Sequence, residues 1–224
     1  MDDIDPPILE RPIEHLLSLL TANESRRILI GLAGLPGSGK STFATKLAEE
    51  VNKLAGSGTM VALGMDGFHL TRAALRQLPN PDEAFARRGA PWTFDPQALA
   101  ARLEALRKAA GHEAVSWPDF QHEVRDPEED VFTVAPDTRL VMVEGLYVLH
   151  RADHWDAVRA AFDERWFLDI PLELAMQRLA ERHMAAWGWT REDAEARIAA
   201  NDRLNAEVVL QSRSFADWRL PGFM

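Results

Sequence analysis

The chain contains no cysteine, so neither a disulfide framework nor a thiolate zinc site can form. No apolar run approaches the length that crosses a bilayer. The opening residues, Met1-Asp2-Asp3-Ile4-Asp5-Pro6-Pro7, lack the basic-then-apolar layout of a secretory signal. A cytoplasmic location away from membranes is expected. Positive charge is scarce, with 25 Lys and Arg against 35 Asp and Glu. That balance argues against a broad face for nucleic acid or membrane, while leaving room for a small basic site for phosphates. Internal repeats, low-complexity tracts and interdomain linkers are absent as well. A chain of 224 residues, nearly half of them apolar, suits one α/β domain with a sizeable core.

Gly34-Leu35-Pro36-Gly37-Ser38-Gly39-Lys40-Ser41 has the spacing G-x-x-x-x-G-K-[ST] of a phosphate-cradling loop. A β-prone run, Arg27–Ala33, precedes it, and a helical pattern opens with Ser41-Thr42-Phe43-Ala44. Strand, glycine loop and helix are the context that the motif requires. Glycines turn with positive φ and let backbone amides approach phosphate oxygens without an intervening Cβ. Helix-terminal N–H groups and the helix dipole favour the anion. Lys40 supplies a point charge to the β- and γ-phosphates, and the Ser41 hydroxyl can ligate Mg²⁺. The alternative is an ordinary glycine-rich turn with Lys40 as a solvated surface residue. The pattern therefore predicts a nucleoside triphosphate site.

Periodicity predicts a first helix near Ile8–Leu20 and a strand at Arg27–Ala33. The helix after the loop runs to about Leu54, and a buried strand follows at Met60–Met65. Residues 67–94 form a long connection with a short helix near Thr71–Gln77; a connection of this length is usually functional. Asp95-Pro96 reads as the cap and first residue of the next helix. Strands are expected at Ala114–Trp117, Arg139–Val143 and Trp166–Ile170. Helices are expected near Trp155–Phe162, Leu172–Ala186 and Arg191–Ser212, the last capped by Thr190. Alternating strands and helices imply a mainly parallel sheet covered on both faces.

Ligands of such sheets bind beyond the carboxyl ends of the strands. The glycine loop, Asp66 and Glu144 each follow an apolar strand and converge on that rim. A carboxylate there can hold Mg²⁺ or accept a proton from an attacking hydroxyl. Asp66 is the candidate base and Glu144 the candidate metal-site acid; the alternative is that each caps a turn.

With these residues placed, the chain resembles the P-loop kinase group containing uridine kinase, pantothenate kinase and phosphoribulokinase. Within it, the chain looks most like bacterial nucleoside-kinase-like or fructose-transport-system kinases. The segments carrying the resemblance are GLPGSGKST at Gly34–Thr42, MDGFHL at Met65–Leu70 and RRGAPWTFD at Arg87–Asp95. WPDFQHEVRDP at Trp117–Pro127, VEGLYVL at Val143–Leu149 and NDRLNA at Asn201–Ala206 complete the set. It implies a single P-loop NTPase domain over 1–224, with a five-stranded sheet of order 2-3-1-4-5. Residues 67–95 would form an acceptor-side region and 172–190 a small helical lid.

It further implies ATP as donor with Mg²⁺, and transfer to a hydroxyl of a small metabolite such as a nucleoside, a sugar or a pantothenate-like compound. Asp66 falls on the acid acting on that hydroxyl and Glu144 on the acid near Mg²⁺. Residues Gly34, Leu35, Pro36, Gly37, Ser38, Gly39, Lys40, Ser41 and Thr42 would hold the nucleotide. Arg178 and Arg182 match the lid arginines, with Arg182 assigned to the transferred group; they read alternatively as surface arginines beside Glu173 and Glu181. Phe68, His69, Arg87, Arg88, Trp117, Asp119 and His122 are candidates for the acceptor pocket, and Arg88 can instead anchor its loop through a carboxylate. Asn201 and Asn205 touch nucleotide or pack the last helix; Tyr147 and Trp187 read as packing residues. A regulatory P-loop ATPase or switch without a small acceptor is the competing reading. A guanine-reading N-K-x-D element is absent, and a homodimer is compatible with the sequence.

Overall fold

The structure is a computed structural model that describes residues 6–23, 26–121 and 123–223. Its centre is the aliphatic strand β1 (Ile28–Gly34), buried at all seven positions. On either side, β5 (Leu140–Gly145) and β6 (Glu164–Asp169) pair with it in parallel. Beyond them, β2 (Met60–Gly64) pairs with β5, and β7 (Trp218–Pro221) pairs with β6, again in parallel. The sheet order is β2-β5-β1-β6-β7. Counting only these five strands in chain order gives 2-3-1-4-5, as the resemblance implies.

Side chains alternate across the pleat. Ile28, Ile30 and Leu32 face a layer containing Leu16 of α1 (Pro6–Ala22) and Phe43, Leu47 and Val51 of α2 (Lys40–Ala55). Leu29 and Ala33 face the opposite layer, with Leu99, Leu103 and Leu106 of α5 (Pro96–Lys108). The same layer takes Leu179 of α7 (Leu172–Trp187) and Val209 of α9 (Arg203–Ser212). The connection over 67–95 holds two short helices, α3 (Arg72–Leu75) and α4 (Pro81–Ala86). Asp95 caps α5 by accepting from the Ala98 amide at 2.9 Å, as its place before Pro96 predicts. Helix α6 (Trp155–Ala161) leads into β6.

Two expectations change. The strand beginning near Ala114 lies outside the main sheet: β3 (Val115–Gln121) pairs antiparallel with β4 (Asp126–Val134) as a separate hairpin. The edge of the main sheet is instead β7, within the segment Arg213–Met224 that the sequence leaves open between a docking tail and an ordered edge. The helix expected over Arg191–Ser212 begins as α8 (Arg191–Arg197), capped by Thr190, which accepts from the Asp193 amide at 3.1 Å. It then passes through a π-helical turn, Ile198–Asp202, before α9. The wider turn coincides with two buried amides four residues apart, Asn201 and Asn205. Among the described residues no helix is long and apolar enough to cross a membrane.

Arg27, at the mouth of β1, is buried with 2% exposure. Its guanidinium donates to the carbonyls of Thr138, Leu106, Ala135 and Pro136 at 2.7–3.1 Å. It thereby ties the end of α5 to the turn before β5. Arg27→Met leaves four acceptors short of a donor, which is expected to destabilise the fold by at least about 3 kcal/mol. A urea midpoint that falls with an unchanged slope is the expected reading; an unshifted midpoint would show that the clamp is dispensable.

Candidate active site

The glycine loop closes tightly over the carboxyl end of β1. Gly37 and Gly39 have φ of 79° and 83°, conformations that an L side chain rarely adopts. A Cβ on Gly37 would lie 2.3 Å from the Ala175 carbonyl oxygen, so the first turn of α7 rests on the loop. Gly39 occupies the N-cap of α2 and offers no side-chain acceptor to the amides of that turn. The Ser38 hydroxyl is fully buried and has no hydrogen-bond partner among the described residues. Leu35 and Pro36 are buried under the loop, whereas Ser41 and Thr42 are exposed on the first turn of α2.

Glu144 sits at the end of β5, in register with Gly64 of β2. Its Oε1 accepts from the Ser41 hydroxyl at 2.8 Å, and its Oε2 lies 3.9 Å from Lys40 Nζ. Burial raises its carboxyl above the usual range; Asp66 pushes the same way, while Lys40, the Ser41 hydrogen bond and Arg182 oppose. Asp66 is exposed one residue beyond Met65, whose amide donates to the Glu144 carbonyl at 2.9 Å. The two acids therefore stand on adjacent strand ends. Arg182 is exposed on α7, and its charge reaches Glu144.

This donor set fits a Mg²⁺-polyphosphate. Left-handed glycines, an orphaned buried hydroxyl and uncapped helix amides are what phosphate oxygens satisfy. Among the described residues no group of three or more His, Asp or Glu could hold a metal. A site drawing on Ser41 and Glu144 and leaving other positions to water and phosphate is the arrangement that suits Mg²⁺.

The remaining predicted residues divide. Arg178 donates to the Phe223 carbonyl at 2.7 Å and stacks over its ring. Among the described residues, neither Arg178 nor Arg182 forms an ion pair with Glu173 or Glu181. Arg203 holds Glu173 at 2.6 Å, and Gln177 donates to Glu181 at 3.0 Å. Phe68 and Trp117 are 5% and 0% exposed and meet edge to face at 5.0 Å. Trp117 also donates its indole N–H to the Gly64 carbonyl at 2.8 Å. Both rings are buried next to the Asp66 turn.

Gly67 lies so close to Pro118 that an added Cβ would be 2.3 Å from its carbonyl oxygen, which brings Asp119 beside the Asp66 turn. His69 stacks on Phe94 and Phe120, with Nδ1 2.7 Å from the Asp66 carbonyl oxygen. Arg88 pairs with Asp126 at 3.2 Å and donates to the Leu70 carbonyl at 2.9 Å, so it anchors the loop through a carboxylate. Arg87 donates to Asn201 and Asn205. His122 lies outside the described residues. Tyr147 is buried and donates to the Gly89 carbonyl at 2.7 Å, a packing role as expected. Trp187 is half exposed and stacks on His183.

Phe223 is the residue that sequence reasoning missed. A Cβ on Gly39 would lie 2.5 Å from its ring, so the segment after β7 packs against the phosphate loop. No spacing or motif announces it, because the contact depends on β7 joining the sheet edge.

The profile of the phosphoribulokinase / uridine kinase family matches residues 29–218. A Schizosaccharomyces pombe protein provisionally named a uridine kinase is 36% identical over 185 residues, covering 82% of this chain and 78% of its own. The crystal structure of a Silicibacter sp. TM1040 protein, provisionally named a fructose transport system kinase, superposes with a TM-score of 0.84 at 30% identity, covering 95% of this chain and 98% of its own. Saccharomyces cerevisiae YFH7 shares the fold, with a TM-score of 0.83 at 19% identity over 99% of this chain and all of its own.

Proposed function

Since the chain belongs to the phosphoribulokinase / uridine kinase family of P-loop kinases, we propose that it transfers the γ-phosphate of ATP to a hydroxyl of a small metabolite. The observation that carries this reading is the Lys40–Glu144–Ser41 contact beneath the loop, with Asp66 open to solvent beside it. Bound Mg-ATP supplies the transferable phosphoryl group and neutralises part of its charge. The loop amides, Ser38 and Lys40 orient the polyphosphate, and Ser41 and Glu144 provide oxygen donors to the cation.

Asp66 orients the acceptor hydroxyl and takes its proton as that oxygen bonds to the γ-phosphorus. The bond from phosphorus to the departing ADP oxygen breaks in the same transfer, leaving ADP and a phosphate ester. Arg182 brings positive charge over the transferred group. Phosphoryl transfer needs positioning and charge stabilisation more than covalent chemistry, and these residues offer both.

The test is Mg-ATP consumption against nucleosides, sugars, polyols and hydroxy acids. Lys40→Ala is expected to lower acceptor-dependent turnover by about 100-fold or more. ATP hydrolysis indifferent to every acceptor would instead favour a regulatory ATPase.

A further inference from the structure

Arg87 forms no ion pair among the described residues, yet its guanidinium is held in place by two side-chain amides. Its Nε donates to Asn201 Oδ1 at 2.9 Å, and its Nη2 donates to Asn205 Oδ1 at 3.1 Å. Both amides are buried, at 1% and 2% exposure. Asn201 is itself fixed by donating to the Arg88 carbonyl at 3.1 Å. The π-helical turn carries Asn201, and Asn205 follows one turn on. π-turns are frequent at functional sites.

The neighbouring charges are arranged differently. Arg88 is paired with Asp126, and Asp202, next to Asn201, lies 3.3 Å from His183 Nε2. Arg87, unlike Arg88 beside it, has its direction set by two neutral amides and forms no ion pair among the described residues. A partly buried cation that is not paired by its own protein is stabilised by an incoming anion. A planar guanidinium held by one edge is suited to carboxylate or phosphate oxygens.

The location is the acceptor side. Tyr147 links the two segments: its amide donates to Met65 Sδ at 3.4 Å, beside Asp66, and its hydroxyl donates to the Gly89 carbonyl at 2.7 Å, two residues beyond Arg87. Beside the Asp66 turn, His69 and Phe120 are half-buried, with ring centres 4.8 Å apart. Phe68, Phe94, Trp117 and Tyr147 are each 5% exposed or less, packed edge to face in pairs.

We infer that the acceptor is a small hydroxy compound carrying an anionic group, a carboxylate or a phosphate ester, which Arg87 binds while the hydroxyl meets Asp66. This rests on the kinase reading above. The cation then offsets the repulsion that such an acceptor meets from Asp66 and from the polyphosphate.

The experiment measures kcat/KM with Mg-ATP for matched acceptors. Hydroxy acids of three to six carbons are each compared with their own amides, phosphorylated pentoses and hexoses with the free sugars, and ribonucleosides complete the panel. The expected result is that charged members exceed neutral partners by about 10- to 100-fold. Preference within the acids or within the phosphates identifies which anion is bound. Arg87→Gln is expected to remove most of that preference, chiefly through KM, and Arg87→Lys to restore part of it; thermal melting confirms that both variants fold.

Turnover of neutral sugars or nucleosides at rates equal to or above the charged members overturns the inference and leaves the kinase reading standing. A preference for anions that survives in folded Arg87→Gln also overturns the assignment. ATP binding with no acceptor phosphorylated overturns the kinase reading, and this inference with it.

Discussion

Asp66→Asn is expected to lower kcat by about 10²- to 10⁴-fold, the usual contribution of a positioned base, with the melting temperature and the affinity for ATP unchanged. The separation follows from how Asp66 is held. Its backbone carbonyl accepts from the His69 amide, while the side chain is exposed at the start of a 3₁₀ turn, Asp66–Phe68. Gly67 and Phe68 beside it are buried and fix the turn through backbone and ring contacts that an Asn leaves intact. The amide has the size of the carboxylate but cannot accept the hydroxyl proton. Steady-state kinetics, ATP binding and thermal melting on one preparation check all three parts. Full kcat in a folded variant would remove Asp66 as the base, and a loss confined to ATP affinity would move it to the nucleotide side.

Lys40→Ala should differ in kind. Lys40 lies 3.9 Å from Glu144 and belongs to the loop itself, so its loss should weaken ATP binding and transfer together.

The phosphate loop, Asp66 and Glu144 were legible in the sequence for one reason: each follows a short apolar strand of a parallel sheet. Strand ends of such a sheet lie on one rim whatever the detailed packing. The helix caps at Asp95 and Thr190 were legible because capping is decided within four residues. What stayed hidden depends on pairing between distant segments. A short run such as Val115–Trp117 has the same local pattern whether it joins the central sheet or folds back on Asp126–Val134; only the partner differs. Trp218–Pro221 is too short to announce itself, and it becomes a strand because β6 leaves an open edge beside it.

The same holds for side chains. Trp117 and Phe68 sit within motif segments, yet their burial follows from the hairpin closing over the Asp66 turn. Arg88 finds Asp126 only through that hairpin, and Arg87 finds Asn201 and Asn205 only through the last helix.

Glu144→Gln is expected to abolish nearly all Mg-ATP-dependent turnover, by about 100-fold or more, and yet to melt at a higher temperature than the natural protein when no nucleotide is present. Burial, the largest influence on this carboxyl, raises it above its ordinary value, and Lys40 and Ser41 only partly offset that. In the unfolded chain the proton leaves in the ordinary carboxylate range; in the folded protein it leaves at higher pH. Stability of the free protein therefore falls as pH rises from that range through the folded value, and remains reduced above it. Gln removes the buried charge while keeping an oxygen to accept from Ser41, so this contribution to the pH dependence should vanish.

Mg-ATP should reverse the order, because a cation beside Glu144 favours its ionised form, and ligand binding adds stability only where affinity persists. Melting curves at several pH values, with and without Mg-ATP, read out both effects. A Gln variant less stable than the natural protein under every condition would mean that the Lys40 contact outweighs burial. The predicted crossover has a specific meaning: a group that weakens the empty fold and strengthens the loaded one is placed for its ligand, and packing alone would have favoured the neutral residue.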